Sequence, residues 1–238
     1  MDTEERLPAA PAAMIRRALG NALKPGELGV VLARAGFGKT ACLTHIALDY
    51  LLHSQQVLHV CVDELPEKIK IWYQELIKNL GAAAGNREPA HRVLQQIESL
   101  RFIMAFLHHT FNPGKLDQNV RNLSDQVGFK PALIVLDGLD FERTTRPQIE
   151  ALQRLAQHSQ AALWLSCRTH RHIDIVNDHG IPYPCHEYDD LFDAILALEP
   201  EPHIIRITVL KHYDRYAPPY QSVSLNPRTY LLDDDQNH

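Results

Sequence analysis

The sequence ARAGFGKT, at residues 33–40, decides the fold that we predict for this chain. It fits the phosphate-binding pattern G-x-x-x-x-G-K-[ST], with alanine in the first position. The apolar run LGVVL (28–32) precedes it and is short enough for a buried strand, and the mostly apolar stretch 41–52 follows it as a helix. Strand, glycine loop and helix in this order are the context that the pattern requires, so the sequence predicts a phosphate-binding loop.

The residues of this loop suit the binding of ATP and Mg²⁺. Gly36 and Gly38 allow backbone conformations in which successive N–H groups turn toward phosphate oxygens, and the following helix adds the positive end of its dipole. Lys39 is expected to reach the β- and γ-phosphates, and Thr40 to offer its hydroxyl to Mg²⁺. The alternative is a glycine turn that binds nothing, but such a turn does not require Lys-Thr. The predicted nucleotide-binding residues are Ala33, Arg34, Ala35, Gly36, Phe37, Gly38, Lys39, Thr40 and Ala41.

A second motif follows about a hundred residues later. The run ALIVLD (132–137) is an apolar strand that ends in an aspartate, which is the Walker B pattern. A buried parallel strand places such a carboxylate at its carboxyl end, where it can bind Mg²⁺ through water. We therefore predict that Asp137 is a magnesium ligand together with Thr40. The alternative is an aspartate that only caps the next turn.

Two acidic residues end another predicted strand, VLHVCV (57–62). Asp63 or Glu64 could polarise the water that attacks the γ-phosphate. The longer side chain of Glu64 reaches further, which slightly favours Glu64, but both residues are kept as candidate catalytic bases. The alternative is that Asp63 caps the helix that Pro66 opens.

The chain alternates apolar runs with helical segments, which predicts an α/β fold with a mainly parallel sheet covered on both faces. Beyond Arg171 the apolar segments follow one another without helices, which predicts strands joined by hairpins that extend the sheet. We expect a flexible arm over 1–12, one domain over 13–232 and an acidic tail over 233–238. The predicted helices are 13–23, 67–80, 89–99, 115–127 and 147–158, and the predicted later strands are 193–198, 204–210, 221–225 and 229–232.

Composition argues against several classes of protein. The 238 residues carry a net charge of −5, which argues mildly against a dominant nucleic-acid surface. Four widely spaced cysteines without a C-x-x-C pair are typical of reduced cytosolic thiols. The polar start is not followed by a signal-type apolar region, and no run approaches the 18 apolar residues of a membrane span, so we expect a cytoplasmic protein.

Four further segments resemble the RecA-like ATPases, within them the KaiC-like and DnaB-like branch, over roughly residues 13–232. They are KPGELGVV (24–31), VCVDE (60–64), DAILAL (193–198) and RITVLK (206–211). The resemblance implies a RecA-like three-layer sandwich with a C-terminal antiparallel hairpin, which converts ATP to ADP with Mg²⁺. It also implies that Asp63 matches the position of the family's catalytic glutamate. Lys211 resembles the hairpin lysine that faces a neighbouring subunit's nucleotide, which implies a homo-oligomeric ring or filament. The alternative is that Lys211 is a solvated charge at the end of a strand on a monomer.

The chain departs from this family at two places. The hairpin usually carries Lys-x-Arg, but Lys211 is followed by His212 and Tyr213, and Cys167 stands where the helicase branch commonly has a glutamine. That glutamine is thought to link nucleotide state to DNA contact, so DNA coupling is disfavoured. We therefore expect an ATPase that regulates or remodels a protein partner. The alternatives are a DNA-dependent ATPase, either a helicase or a recombinase accessory, and a nucleotide-binding module that does not hydrolyse.

The segment RTHRH (168–172) follows the strand after Asp137. It could sense the γ-phosphate or bind an acidic partner, and the alternative is a solvated basic loop. A zinc site from His170 and His172 with Cys167 or Cys185 is not favoured, because the spacing matches no common zinc site.

Overall fold

The computed structural model of the chain describes residues 15–16, 19, 22–83, 89–218 and 223–234. The predicted arm 1–12, most of the predicted helix 13–23 and the end of the predicted tail lie outside these ranges. Ile15, Leu19 and Leu23 are buried, as expected for the apolar side of that helix.

The described residues form a ten-stranded sheet with the order β10-β9-β7-β6-β1-β5-β4-β2-β3, and β8 pairs with β7. The six strands from β6 to β3 run parallel, and β7, β8, β9 and β10 add antiparallel pairs beyond β6. The strands are β1 (Leu28–Ala33), β2 (Val57–Val62), β3 (Arg101–Phe106), β4 (Leu133–Asp137), β5 (Ala162–Arg168), β6 (Ala194–Pro200), β7 (Ile205–His212), β8 (Arg215–Tyr216), β9 (Val223–Leu225) and β10 (Leu232–Asp234).

Four of the described helices begin at a proline or a polar cap, whereas the helix after the glycine loop begins without either. Asn112 accepts a hydrogen bond from the backbone of Gly114, and Thr145 and Gln148 form a capping box. A π-helical turn, Leu123–Val127, continues the fourth helix to the end that the sequence predicts. The helices in the described ranges are α1 (Lys39–Leu52), α2 (Pro66–Ala83), α3 (Pro89–Glu98), α4 (Pro113–Asn122) and α5 (Arg146–Ser159).

Two cores lie on opposite faces of the sheet because successive residues of a strand point to opposite sides. Val31 and Ala33 of β1 belong to the core that includes α1, α2 and α3, and Leu28, Val30 and Leu32 belong to the core that includes α4 and α5. The predicted α/β class, the mainly parallel sheet and the helices on both faces are confirmed. The antiparallel C-terminal extension is confirmed as well.

The prediction of a last strand at 229–232 is wrong in its position, because the strand lies further along the chain. The side chain of Asn226 accepts from the backbone of Arg228 and Thr229, and the Tyr230 N–H donates to the Asn226 carbonyl. These bonds make a turn, so β10 begins only at Leu232 and includes the first two residues of the predicted tail.

The described helices include none that is long and apolar enough to cross a membrane. All four cysteines are buried free thiols.

Candidate active site

The glycine loop connects β1 to α1 with two residues in left-handed conformations. Gly36 has φ 81° and Gly38 has φ 77°, which side chains rarely adopt. A Cβ on Gly38 would lie 2.7 Å from Cδ2 of Leu225, whereas the space around Gly36 is open. Gly38 is therefore required for its backbone conformation and for the close approach of β9.

The side chain of Lys39 folds back over the loop. Its ammonium donates to the carbonyl oxygens of Ala33 and Arg34, both at 3.0 Å. Burial lowers the pKa of Lys39, and the negative charge of Asp137 opposes part of that shift. The ammonium thus lies at the entrance of the loop, where phosphate oxygens would be stronger acceptors than the two carbonyls.

Thr40 and Asp137 meet although they are 97 residues apart, since the Thr40 hydroxyl donates to Oδ2 of Asp137 at 2.6 Å. Their hydroxyl and carboxylate oxygens are ligands that Mg²⁺ prefers, so the donor set fits this ion. Within the described residues, no group of three or more His, Cys, Asp or Glu could hold a metal ion. A Mg²⁺ ion that enters with a nucleotide needs only one or two protein ligands, because phosphate oxygens and water complete its shell.

Gly138, directly after Asp137, has φ 96°, and a Cβ on it would lie 2.5 Å from the Val62 carbonyl oxygen. The absence of a side chain therefore lets the ends of β2 and β4 approach each other. This approach brings Asp63, the residue after β2, to the same edge as Asp137.

Asp63 has φ 55°, a conformation that is uncommon for residues other than glycine and is often found at functional sites. Its Oδ1 accepts a 2.5 Å hydrogen bond from the backbone N–H of His108, which follows β3. The carboxylate therefore turns toward the loop after β3 and not toward the first turn of α2, as the capping alternative would require.

Glu64 is oriented differently from Asp63. Its carboxylate forms an ion pair with Lys68, one helical turn further, and accepts from the backbone N–H of Leu65 at 3.2 Å. The structure thus places both candidate bases beside the glycine loop but gives them different partners.

Two adjoining cavities lie at this edge of the sheet, and Lys39, Asp63, Asp137 and Gly138 line both. The first, here named the loop cavity, has a volume of about 350 Å³. The second, here named the outer cavity, has a volume of about 500 Å³. Further residues of the loop cavity include Gly36, Gly38, Thr40, Trp72 and Tyr230. Further residues of the outer cavity include His108, Asp140, Glu142, Ser166, Arg168 and His170.

The loop cavity also contains an aromatic pair that the sequence patterns do not predict. The rings of Trp72 and Tyr230 meet edge to face with centroids 4.8 Å apart. The Tyr230 carbonyl accepts a hydrogen bond of 2.5 Å from Nε2 of His45, a buried residue of α1. No local pattern predicts this pair, because the turn after β9 reaches the glycine loop only through the sheet order.

The basic segment 168–172, which begins at the last residue of β5, divides into two parts. Arg168 and His170 line the outer cavity, and Nε2 of His170 lies 3.0 Å from Oε1 of Glu142. Arg171 and His172 are exposed. Only the first part of the segment therefore lies beside the glycine loop.

Lys211 differs from its expected position. Only 5% of the residue is exposed, its ammonium donates to the Asp189 carbonyl at 2.7 Å, and it lies 5.3 Å from the centre of the Tyr216 ring. Because this cation is buried and hydrogen-bonded within its own chain, the structure does not present it to a neighbouring subunit.

Comparison with protein-family models gives no match, and comparison with curated protein sequences gives none either.

Proposed function

We propose that this protein binds ATP with Mg²⁺ at Ala33–Ala41 and hydrolyses it to ADP and phosphate in order to regulate or remodel a protein partner. The observation that carries the proposal is the 2.6 Å hydrogen bond between Thr40 and Asp137, at the edge of the sheet where Lys39 and Asp63 also lie. The resemblance of the sequence to RecA-like ATPases supports the same conclusion.

Each part of the loop cavity suits one part of the nucleotide. The first N–H groups of α1 and the Lys39 ammonium suit the phosphates. Trp72 and Tyr230 offer aromatic surface to the base. Thr40 and Asp137 would hold Mg²⁺, which supplies positive charge to the phosphate oxygens.

Asp63 is the residue that we assign to the attacking water. Its carboxylate lines both cavities and accepts from the backbone N–H of His108, whereas the carboxylate of Glu64 is paired with Lys68. A carboxylate at this position can accept a proton from water as it attacks the γ-phosphate.

Assembly into a ring or filament stays a prediction of the resemblance. The buried position of Lys211 gives no support to an active site that this lysine completes in a neighbouring subunit. Light scattering with ATP and Mg²⁺ tests the assembly, and a species larger than a dimer is expected.

Calorimetry and a phosphate-release assay test the proposed function. The parent protein is expected to bind ATP with Mg²⁺ and release phosphate, and Lys39→Ala is expected to weaken ATP binding. Lys70→Ala is the matched control because Lys70 is exposed on α2 and is not among the residues that line either cavity.

The outcomes separate the competing functions. Equal ATP affinity in the parent and Lys39→Ala would exclude the glycine loop as the binding site. Binding without phosphate release would favour the module that does not hydrolyse, and strong stimulation by single-stranded DNA would favour the DNA-dependent ATPase.

A further inference from the structure

His108 lies between two carboxylates at the edge of the outer cavity. Its Nδ1 is 3.9 Å from Oδ2 of Asp63, and its Nε2 is 3.5 Å from Oδ2 of Asp140. Its backbone N–H also donates to Oδ1 of Asp63. The residue therefore connects the loops that follow β2, β3 and β4, which are neighbours in the sheet.

Asp140 is held by its own loop. Its Oδ1 accepts from the backbone of Glu142 at 3.1 Å, and its carbonyl accepts from the Thr144 hydroxyl at 2.6 Å. Nε of Arg143 lies 3.8 Å from Oδ2 of Asp140. The carboxylate that faces Nε2 of His108 thus has one oxygen held by the backbone and a guanidinium near the other, and it can serve as an anchor for the imidazole ring.

The side chain of Asp63 is more exposed than that of Asp140, 55% against 33%, although a backbone N–H also holds one of its oxygens. An exposed carboxylate samples several rotamers, and its orientation toward an attacking water costs conformational entropy unless a neighbour holds it. His108 is in the position to do so, because its ring faces the second oxygen of the same carboxylate.

We propose that His108 is a positioning residue that bridges Asp63 to Asp140 and thereby holds the Asp63 carboxylate toward the γ-phosphate site. This inference rests on the proposed function, since it assigns His108 a part in the same hydrolysis. His108 acts through Asp63 and does not itself take a proton from the water.

The hydrogen-bond donors of the imidazole ring determine which substitutions test the proposal. Ionised carboxylates only accept hydrogen bonds, a neutral imidazole has one N–H, and an imidazolium has two. The amide nitrogen of asparagine can take the place of Nδ1, and that of glutamine can take the place of Nε2. His108→Asn therefore retains a donor toward Asp63, and His108→Gln retains one toward Asp140.

The kinetic experiment compares His108→Ala, His108→Asn, His108→Gln and His109→Ala. His108→Ala is expected to lower kcat for ATP hydrolysis about tenfold with KM unchanged, because the base loses its orientation but the glycine loop remains. His108→Asn should recover part of the loss, and more than His108→Gln. His109→Ala is the matched control from the same turn and should keep the parent rate.

A double-mutant cycle tests the bridge itself. Asp140→Asn should lower kcat, and it should have little further effect in the His108→Ala background, because the two residues act through one contact chain. A kcat of His108→Ala equal to that of the parent would overturn the proposal. Losses in kcat that multiply independently in the double variant would overturn it as well.

Nitrogen NMR of the His108 ring gives a readout that does not depend on ATP hydrolysis. Asp63→Asn and Asp140→Asn should each shift the ring signals of His108, and unchanged signals in either variant would overturn the bridge. If the parent releases no phosphate, the proposed function fails and the catalytic consequence of the bridge fails with it. The ring signals still decide whether His108 contacts both carboxylates.

Discussion

Lys39 and Lys211 both donate to backbone carbonyls, yet one lies beside the cavities and the other in the interior of the protein. Lys39 contacts two carbonyls of the glycine loop and lines both cavities. Lys211 contacts the Asp189 carbonyl and lies over the Tyr216 ring in the interior of the C-terminal region. Residue type alone therefore does not separate a lysine that faces a cavity from a buried structural lysine, and the surroundings of the ammonium decide.

The same contrast holds for the aspartates of the two regions. Both carboxylate oxygens of Asp189 accept hydrogen bonds, one from Asn177 at 3.0 Å and one from the Tyr216 hydroxyl at 2.6 Å. Asp63 faces two cavities from a left-handed backbone conformation. Polar groups that satisfy each other in the interior stabilise the fold, whereas those that face a cavity remain accessible to a ligand.

The largest effect is expected for Asp63→Asn, which would test whether the region around the two cavities carries the chemistry. The amide retains the shape but cannot take a proton, so kcat should fall about 100-fold or more while KM changes little. Steady-state phosphate release measures both constants.

Glu64→Gln is the comparison variant, and we expect it to lose less activity because its carboxylate is already paired with Lys68. Parent rates in Asp63→Asn, Glu64→Gln and the double variant would show that neither carboxylate is the base.

The second prediction tests the two lysines directly. Lys39→Ala should weaken ATP binding about 10- to 100-fold because it removes a charge-assisted contact with phosphate. Lys211→Ala should leave ATP affinity unchanged but lower the free energy of unfolding by about 2 kcal/mol, because the buried Asp189 carbonyl loses its cationic donor. Calorimetry measures the ATP affinity of the two variants, and urea denaturation measures their free energy of unfolding. The same defect in both variants would contradict the prediction.

The third prediction concerns His45, which joins α1 to the turn that carries Tyr230. Burial lowers the pKa of His45 from 6.5 to about 4, and burial also lowers the pKa of His59. The unfolded chain therefore binds protons that the folded protein excludes, so stability falls as the pH falls from 6.5 toward 4. For His45 alone the loss at about pH 5 is on the order of 2 kcal/mol.

Urea denaturation at neutral and acidic pH measures this loss of stability. His45→Gln should lessen the dependence of stability on pH, since glutamine does not titrate. An equal dependence in the parent and the variant would mean that His45 does not connect the two regions through a neutral ring.

The smallest effect is expected for the binding of single-stranded DNA. The net charge of −5 and the position of Arg168 and His170 in the outer cavity leave little reason for a general DNA surface. Fluorescence anisotropy near physiological salt should show weak or no binding of single-stranded DNA. Tight binding with a steep salt dependence would contradict the prediction, because it would indicate several phosphate contacts.

Patterns of local sequence predict most of the fold and the centre of the site. The alternation of strands and helices predicts the parallel sheet, and the two motif strands bring Thr40 to Asp137 because both end at the same edge. The contacts that sequence analysis missed join distant segments, such as Trp72 with Tyr230 and His108 with Asp140. No spacing rule relates such pairs, since the order of the strands in the sheet decides them.

The place of β1 in the sheet has a consequence for synthesis on the ribosome. β1 pairs only with β5 and β6 among the described strands, and all six of its residues are buried. Both partners are translated more than a hundred residues later, so the nascent chain carries an apolar strand with two unpaired edges during most of its synthesis. The glycine loop depends on this strand for its position. A truncated chain that ends before β5 would therefore be prone to aggregation and unable to position the loop.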